Sequence, residues 1–342
     1  MVHWLIPCYI SSIEESITDS DQFMDANQAE QLIRNSAFAA NADYLVSMLR
    51  PTVRIRTMRV GESDLPLGAS RFGGVPDVPE DWEWPDGTEV DELAFLAQIN
   101  LAEIVALNPK LPLPSTGWLC FFYDIETEPW GHTVEHAGGW RVAYFDCDVE
   151  SLERSEGPED ERYTFPTCAL QFENTLTLPR GEFLTKSDPS SPFTRERDGQ
   201  PVEAGKIVLD SIDYEEVFET LIDPPNDGPD HRLLGHAHEK QGPMPHTFRN
   251  LIRLTATPPT ERRNPFTGAT MTIPGEPATE CDESLKQLLT ETDDWRLLLQ
   301  LDSDKAGPGW MWGDVGRLYF WIPTEKLNNK AFDEVWLQLQ CG

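Results

Sequence analysis

LAFLAQIN (Leu93–Asn100), GWLCFFYD (Gly117–Asp124) and GWRVAYFD (Gly139–Asp146) are three short runs dense in aromatic and aliphatic residues. The same order returns as WRLLLQLD (Trp295–Asp302), GRLYFWIP (Gly316–Pro323) and FDEVWLQLQ (Phe332–Gln340). A glycine-bearing stretch precedes each set: Leu67-Gly68 to Gly73-Gly74 before the first, Leu234-Gly235 to Gly242 before the second. The repeat is far too long for a solenoid or a propeller blade, and a duplicated half-domain about a pseudo-twofold axis fits it. Three apolar runs per half, joined by loops, favour antiparallel pairing over a doubly wound sheet. The expected class is therefore α+β, mostly antiparallel sheet, with a few helices such as 283–290 covering its faces.

Upstream, Ala29, Leu32, Ile33 and Phe38, then Leu45, Val46 and Leu49, recur at helical spacing. Val53, Ile55 and Thr57 then alternate with Arg54, Arg56 and Met58, which is the period of a strand. Pro-, Gly- and Asp-rich stretches over 61–90, 151–162, 186–203, 223–230 and 243–280 read as loops or insertions. The last carries Arg249, Arg253, Arg262 and Arg263, a basic island in an acidic chain. The expected organisation is a helical N-terminal segment, residues 1–60, packed on a duplicated β-rich domain, residues 61–342. Its halves run over about 61–180 and 205–342.

The chain has 342 residues, with 27 Lys plus Arg against 59 Asp plus Glu, a formal charge of −32. A hydrophobic fraction of 39 % excludes global disorder. No apolar stretch approaches the ~20 residues of a membrane helix, so no membrane partner is expected. A polyanion would be repelled, so no nucleic-acid partner is expected either. The charge serves solubility, or it steers a basic partner. Cys8, Cys120, Cys147, Cys168, Cys281 and Cys341 show no CxxC spacing, which argues against a zinc ribbon. Residues 1–10 lack a cationic start and a small-residue cleavage site, so a cytoplasmic location is expected.

SRFGGVP (Ser70–Pro76), WEWP (Trp82–Pro85), LPSTGWLCFFYD (Leu113–Asp124), HRLLGHAHEKQG (His231–Gly242) and WMWGDVGRLYFWI (Trp310–Ile322) resemble the YwqG-like family. That bacterial family is built around a domain of unknown function. The resemblance runs from about Leu65 to the C-terminus. It implies a β-rich fold without an assigned catalytic residue. Some members lie near secreted-toxin gene clusters, which implies an interaction or immunity-type role. Arg71 stands where the family usually has Lys, and His236-Ala237 replaces a usual Tyr-Pro.

Enzyme signatures are sparse. Gly68-Ala-Ser70-Arg-Phe lacks the second glycine of a nucleophile elbow, and His238-Glu239 does not continue into HExxH. His231, His236 and His238 form a cluster in a glycine-rich setting that suits loop anchoring. Asp302, Asp304 and Asp314 form the best acidic constellation, able to offer oxygens to Ca²⁺ or Mg²⁺, or to cap turns instead. Among the tryptophans, Trp310 and Trp312 are the expected exceptions to core packing, because glycine and proline surround them.

Strand alternation places Leu93, Phe95, Ala97 and Ile99 on one face and Ala94, Leu96, Gln98 and Asn100 on the other. The repeat matches Gln98 with Gln300 and Asn100 with Asp302. A glutamine at the end of an apolar strand needs hydrogen-bond partners. Each is therefore expected to tie down a glycine-rich loop, 70–74 or 240–242. A functional version adds Arg71, Asp302, Asp314 and Trp312 converging on a polar ligand there. The expected function is a non-catalytic, monomeric binding protein without a cofactor, its partner basic or toxin-like. The alternative is metal-assisted hydrolysis through Asp302, Asp304 and Asp314.

Overall fold

The structure is a computed structural model that describes residues 25–186, 190–194, 206–209, 214, 228–252, 260–263, 270–273, 277–290 and 294–342. Cys8, the run 1–10, Arg253 and much of the expected insertions lie outside the described residues.

Ten strands form one antiparallel sheet: β1 (Arg50–Arg59), β2 (Arg71–Phe72), β3 (Ala94–Asn100), β4 (Trp118–Tyr123), β5 (Trp140–Phe145), β6 (Cys168–Thr177), β7 (His231–Leu234), β8 (Trp295–Asp302), β9 (Arg317–Pro323) and β10 (Trp336–Gln340). Their spatial order is β10-β9-β8-β7-β1-β6-β2-β3-β4-β5. All six runs of the sequence repeat are strands. The strand at Val53–Thr57 is β1, and it lies between β7 and β6.

The sheet curls until its two ends meet, giving a nearly closed, barrel-like shape. The Trp140 indole at one end donates to the Val335 carbonyl at the other, 3.0 Å. The Leu339 N–H donates to the Trp130 carbonyl, 3.1 Å. Phe121 and Phe320 meet across the interior at 5.1 Å between ring centres. Closure of this kind leaves little free edge for another chain to pair with.

A β-bulge between Phe95 and Ala97 interrupts β3, and another between Leu297 and Leu299 interrupts β8. A bulge inserts one residue, so the alternation resets at it. The strict period-two faces expected for 93–100 are therefore corrected. Leu93 and Phe95 share the outer side with Cys120 and Phe122 under Trp82 and Trp84, whereas Leu96, Ala97 and Ile99 join the main core. Gln98 follows Phe95 to the outer side, opposite Cys120.

Helices α1 (Ala26–Arg34) and α2 (Ala42–Met48) occupy the expected helical region. Asp25 caps α1 with a full capping box, its carboxylate accepting from Gln28 N–H and the Gln28 side chain accepting from Asp25 N–H. Ala29, Ile33, Ala42 and Leu45 bury with Leu178, Leu184 and Phe193 in a core of their own. Helix α3 (Leu101–Leu107) continues directly from β3, and α4 (Glu283–Thr290) forms where the sequence expects it. Among the described residues, no helix is long and apolar enough to cross a membrane.

Candidate functional site

Arg71 on β2 faces Gln98 on β3, and Arg232 on β7 faces Gln300 on β8. Each glutamine follows its strand's bulge and is fully buried. Gln98 accepts from the Asp77 N–H at 2.7 Å and donates to the Ala69 carbonyl at 2.9 Å. Gln300 accepts from the His238 N–H at 2.9 Å and donates to the Asp230 carbonyl at 2.7 Å. Each amide thus fastens both ends of the loop that carries its arginine. Gly73 sits inside the first loop at φ 61°, and a Cβ there would lie 2.3 Å from the Pro166 carbonyl oxygen. That close approach is why a Gly-Gly pair follows Arg71-Phe72.

The charges around the two arginines differ. Arg71 pairs with Glu62 and with Asp77, whose other oxygen takes Arg154 at 2.7 Å. Burial lowers the Arg71 guanidinium from its ordinary value, against the raising effect of Asp77 and Glu62. Arg232 pairs with Asp230, which also takes His238 at 2.8 Å and Arg317 at 3.5 Å. Burial raises Asp230, but Arg232, His238 and Arg317 outweigh it and hold the carboxyl well below its usual range.

Several sequence expectations are corrected here. Arg71, Asp302 and Asp314 do not converge: β6, β1 and β7 separate β2 from β8, and Asp314 is exposed. Asp302 instead pairs with Arg317 at 2.9 Å and accepts from the Asp230 N–H. Asn100 caps α3, accepting from the Ala102 N–H. The 240–242 loop is tied by Gln340 rather than Gln300: Gln340 accepts from the Lys240 and Gln241 N–H groups and donates to the Gly242 carbonyl. Trp310 and Trp312 are both buried, packed at 5.4 Å from each other and against Phe72, Phe165 and Tyr123. Their loop folds inward and fills the barrel.

Asp304, also buried, accepts from Thr57 Oγ1 at 2.8 Å and from the Gly307 N–H at 2.7 Å. His231 Nδ1 accepts from the Asp302 N–H, which leaves Nε2 to donate to Asp304 at 3.4 Å. Among the described residues, no group of three or more His, Cys, Asp or Glu side chains is placed to hold a metal ion. Burial raises the Asp304 carboxyl, yet His231, Gly307 and Thr57 lower it to about 2. A depressed carboxylate contributes stability above its unfolded value, and that stability fades as pH falls toward 2. Asp304→Asn is therefore expected to cost about 2 kcal/mol at pH 7 and progressively less toward pH 2. Urea unfolding of both proteins at pH 7, 4 and 2.5 checks this.

What the sequence did not single out is a cleft of about 570 Å³ on the outer side of the sheet. Asp86, Glu89, Asp91 and Glu92 line one wall, and Glu126, Glu159 and Asp160 line the other. Arg162 is the one cation in the lining, held by Asp160 at 2.6 Å. Glu92 is structural, since its carboxylate accepts from the Glu159 N–H and so fixes the two walls together. Glu89, Asp91 and Glu159 are exposed. The signal was present as two acidic runs, Glu89–Glu92 and Glu156–Glu161, each in a loop-like stretch.

A family model described as "Domain of unknown function (DUF1963)" matches residues 70–341, which includes both arginine–glutamine pairs and the cleft. No curated protein matches the chain.

Proposed function

We propose that this chain, which belongs to the DUF1963 family of unknown function, is a non-catalytic binding protein for a cationic protein partner. The observation that carries the reading is the cleft, where seven carboxylates face a single guanidinium in a chain of net charge −32. Such a field focuses in a concave surface, raises the association rate of a cation and repels polyanions. Asp302 and Asp304, which a hydrolytic reading needs, are spent on Arg317, His231, Thr57 and backbone N–H groups. The partner is a basic, toxin-like protein, as the YwqG-like resemblance implies, met by a monomer in the cytoplasm. We read the two halves as duplicated copies about a pseudo-twofold axis. The repeated arginine–glutamine pair, the repeated bulge and the repeated loop-tying bonds support that reading.

A hexa-arginine peptide serves as the probe, titrated by isothermal calorimetry. Its affinity should fall as salt rises. Each exposed carboxylate contributes about 0.2–1 kcal/mol, so a triple variant of Glu89→Gln, Asp91→Asn and Glu159→Gln is expected to bind about tenfold more weakly. A charge-matched control, Asp43→Asn with Glu283→Gln and Asp314→Asn, should change little. Equal loss in the two triples would refute the cleft as the docking site.

A further inference from the structure

The little free edge that the barrel closure leaves belongs to β5. One step beyond the Tyr123–Trp140 pair of the β4–β5 register, the Asp124 N–H donates to the Gly139 carbonyl at 2.9 Å. Opposed residues that share such a bond form one of the two kinds of antiparallel pair, and the two kinds alternate along the strands. Arg141, Ala143 and Phe145 therefore turn their backbone groups toward β4, while Trp140, Val142 and Tyr144 turn theirs away from it. Among the described residues, these three N–H and three C=O groups have no hydrogen-bond partner. The β10 edge differs, because the Trp130 carbonyl takes the Leu339 N–H and the Trp336 indole donates to the Gly131 carbonyl at 3.0 Å. Side chains bridge β5 to the turn before β10: the Trp140 indole reaches Val335, the Tyr144 ring meets Phe332 at 5.1 Å, and Lys330 pairs with Asp146 at 3.0 Å.

Where β5 begins, the seam opens into a cavity of about 710 Å³ between the barrel and α4. Leu285 and Leu288 of α4, with Pro323, give it apolar surface. Its ionisable lining is Asp282, Glu325, Asp333 and Glu334 against Arg141 and Lys326, and Glu334 already holds Lys326 at 2.6 Å. The remaining excess of carboxylates suits a cationic side chain and repels an acidic one. The cavity also adjoins the acidic cleft. Ala137 and Gly138 line the cavity, and the Ala137 carbonyl accepts from Thr88 Oγ1 at 3.0 Å. Thr88 lies between Asp86 and Glu89 in the cleft wall. One acidic surface thus runs from the cleft across Thr88 to the open edge.

We propose that β5 is a docking edge for an extended segment of the cationic partner, which adds to the sheet as one more strand and sets a cationic side chain in the seam cavity. The charge of that partner rests on the reading of the cleft given above, whereas the open edge does not. An unpaired sheet edge is a template for a further strand. In strand addition the main chain supplies the affinity, and pockets beside it select the side chains. Here the outward groups of Trp140, Val142 and Tyr144 supply the main-chain bonds, and the carboxylates of the cavity supply the selection.

Amide hydrogen exchange along β5, resolved by residue, tests this. In the protein alone, the Val142 and Tyr144 amides are expected to exchange at least about tenfold faster than those of Arg141 and Ala143, which bond β4. The probe is a heptapeptide, KTVTVTK, capped at both ends and added in large excess; its symmetry brings a lysine to the cavity in either orientation. It should slow Val142 and Tyr144 by about tenfold or more and leave Arg141 and Ala143 unchanged. The same peptide N-methylated at its three central residues lacks the donors for strand addition and should slow neither amide. In the cleft variant carrying Glu89→Gln, Asp91→Asn and Glu159→Gln, KTVTVTK should still protect the edge. Loss of hexa-arginine binding in that variant and loss of edge protection are therefore separate results. Equal exchange of neighbouring β5 amides in the protein alone, no slowing by KTVTVTK, or equal slowing by its N-methylated form overturns the proposal.

Discussion

Gln98→Leu is expected to lower the melting temperature by about 6–10 °C, although it replaces a buried amide with a side chain of similar size. Leucine leaves the Asp77 N–H and the Ala69 carbonyl without the partner that Gln98 gives them. The Asp77 N–H is buried and the Ala69 carbonyl partly so, and an orphaned buried polar group costs about 1–3 kcal/mol. Asp77 also loses the Gln98 amide as a donor to its carboxylate, 3.1 Å. The loss therefore spreads from one amide to the loop carrying Arg71. Gln300→Leu should behave alike, because it orphans the His238 N–H and the Asp230 carbonyl. Differential scanning calorimetry of the two variants measures both. A change of under ~2 °C in each, against the several degrees expected from two orphaned groups, would show that water satisfies these groups and that the glutamines tie nothing.

A larger loss is expected from Asp77→Ala, about 3–5 kcal/mol. Asp77 is completely buried between Arg71 and Arg154, and it also accepts from the Gly68 N–H at 2.7 Å. Removing it leaves Arg71, itself fully buried, with Glu62 as its remaining carboxylate. Breaking one side of a buried ion pair is costly because the other charge stays behind without compensation. Arg71→Met in the Asp77→Ala background removes that stranded charge and should recover part of the stability. Chemical denaturation of the single and double variants reads this out. Recovery would separate the stranded charge from the lost bond to Gly68.

Much of the sheet was legible because its strands are strongly apolar and bounded by glycine and proline. All six runs from LAFLAQIN to FDEVWLQLQ became strands, and the alternation at Val53–Thr57 marked β1. The bulges were not legible, since one inserted residue leaves no trace in an apolar run such as Ala94–Ile99 or Leu297–Leu301. That hid which face Gln98 shares. The glutamines themselves were legible as buried amides in need of partners, but the partners were not. Asp77 is 21 positions from Gln98, and Arg154 is 77 positions from Asp77. Pairing at such distances comes from the topology of the sheet and not from local spacing. Trp310 and Trp312 misled for a related reason: glycine-rich flanks suggest exposure, yet here they let a loop turn into the barrel. The acidic cleft escaped because its two walls come from separate loops whose composition alone reads as solubility.

Carbodiimide labelling of carboxylates, located by mass spectrometry with and without hexa-arginine, tests the docking site most directly. The exposed carboxylates compete for the reagent in one experiment, so the probe's position is read against an internal standard. The expected result is selective protection of Glu89, Asp91, Glu126 and Glu159, with Asp43, Glu283 and Asp314 labelled as before. Protection spread evenly over the exposed acids, or concentrated away from the cleft, would contradict a built docking site and leave the charge as a solubility device.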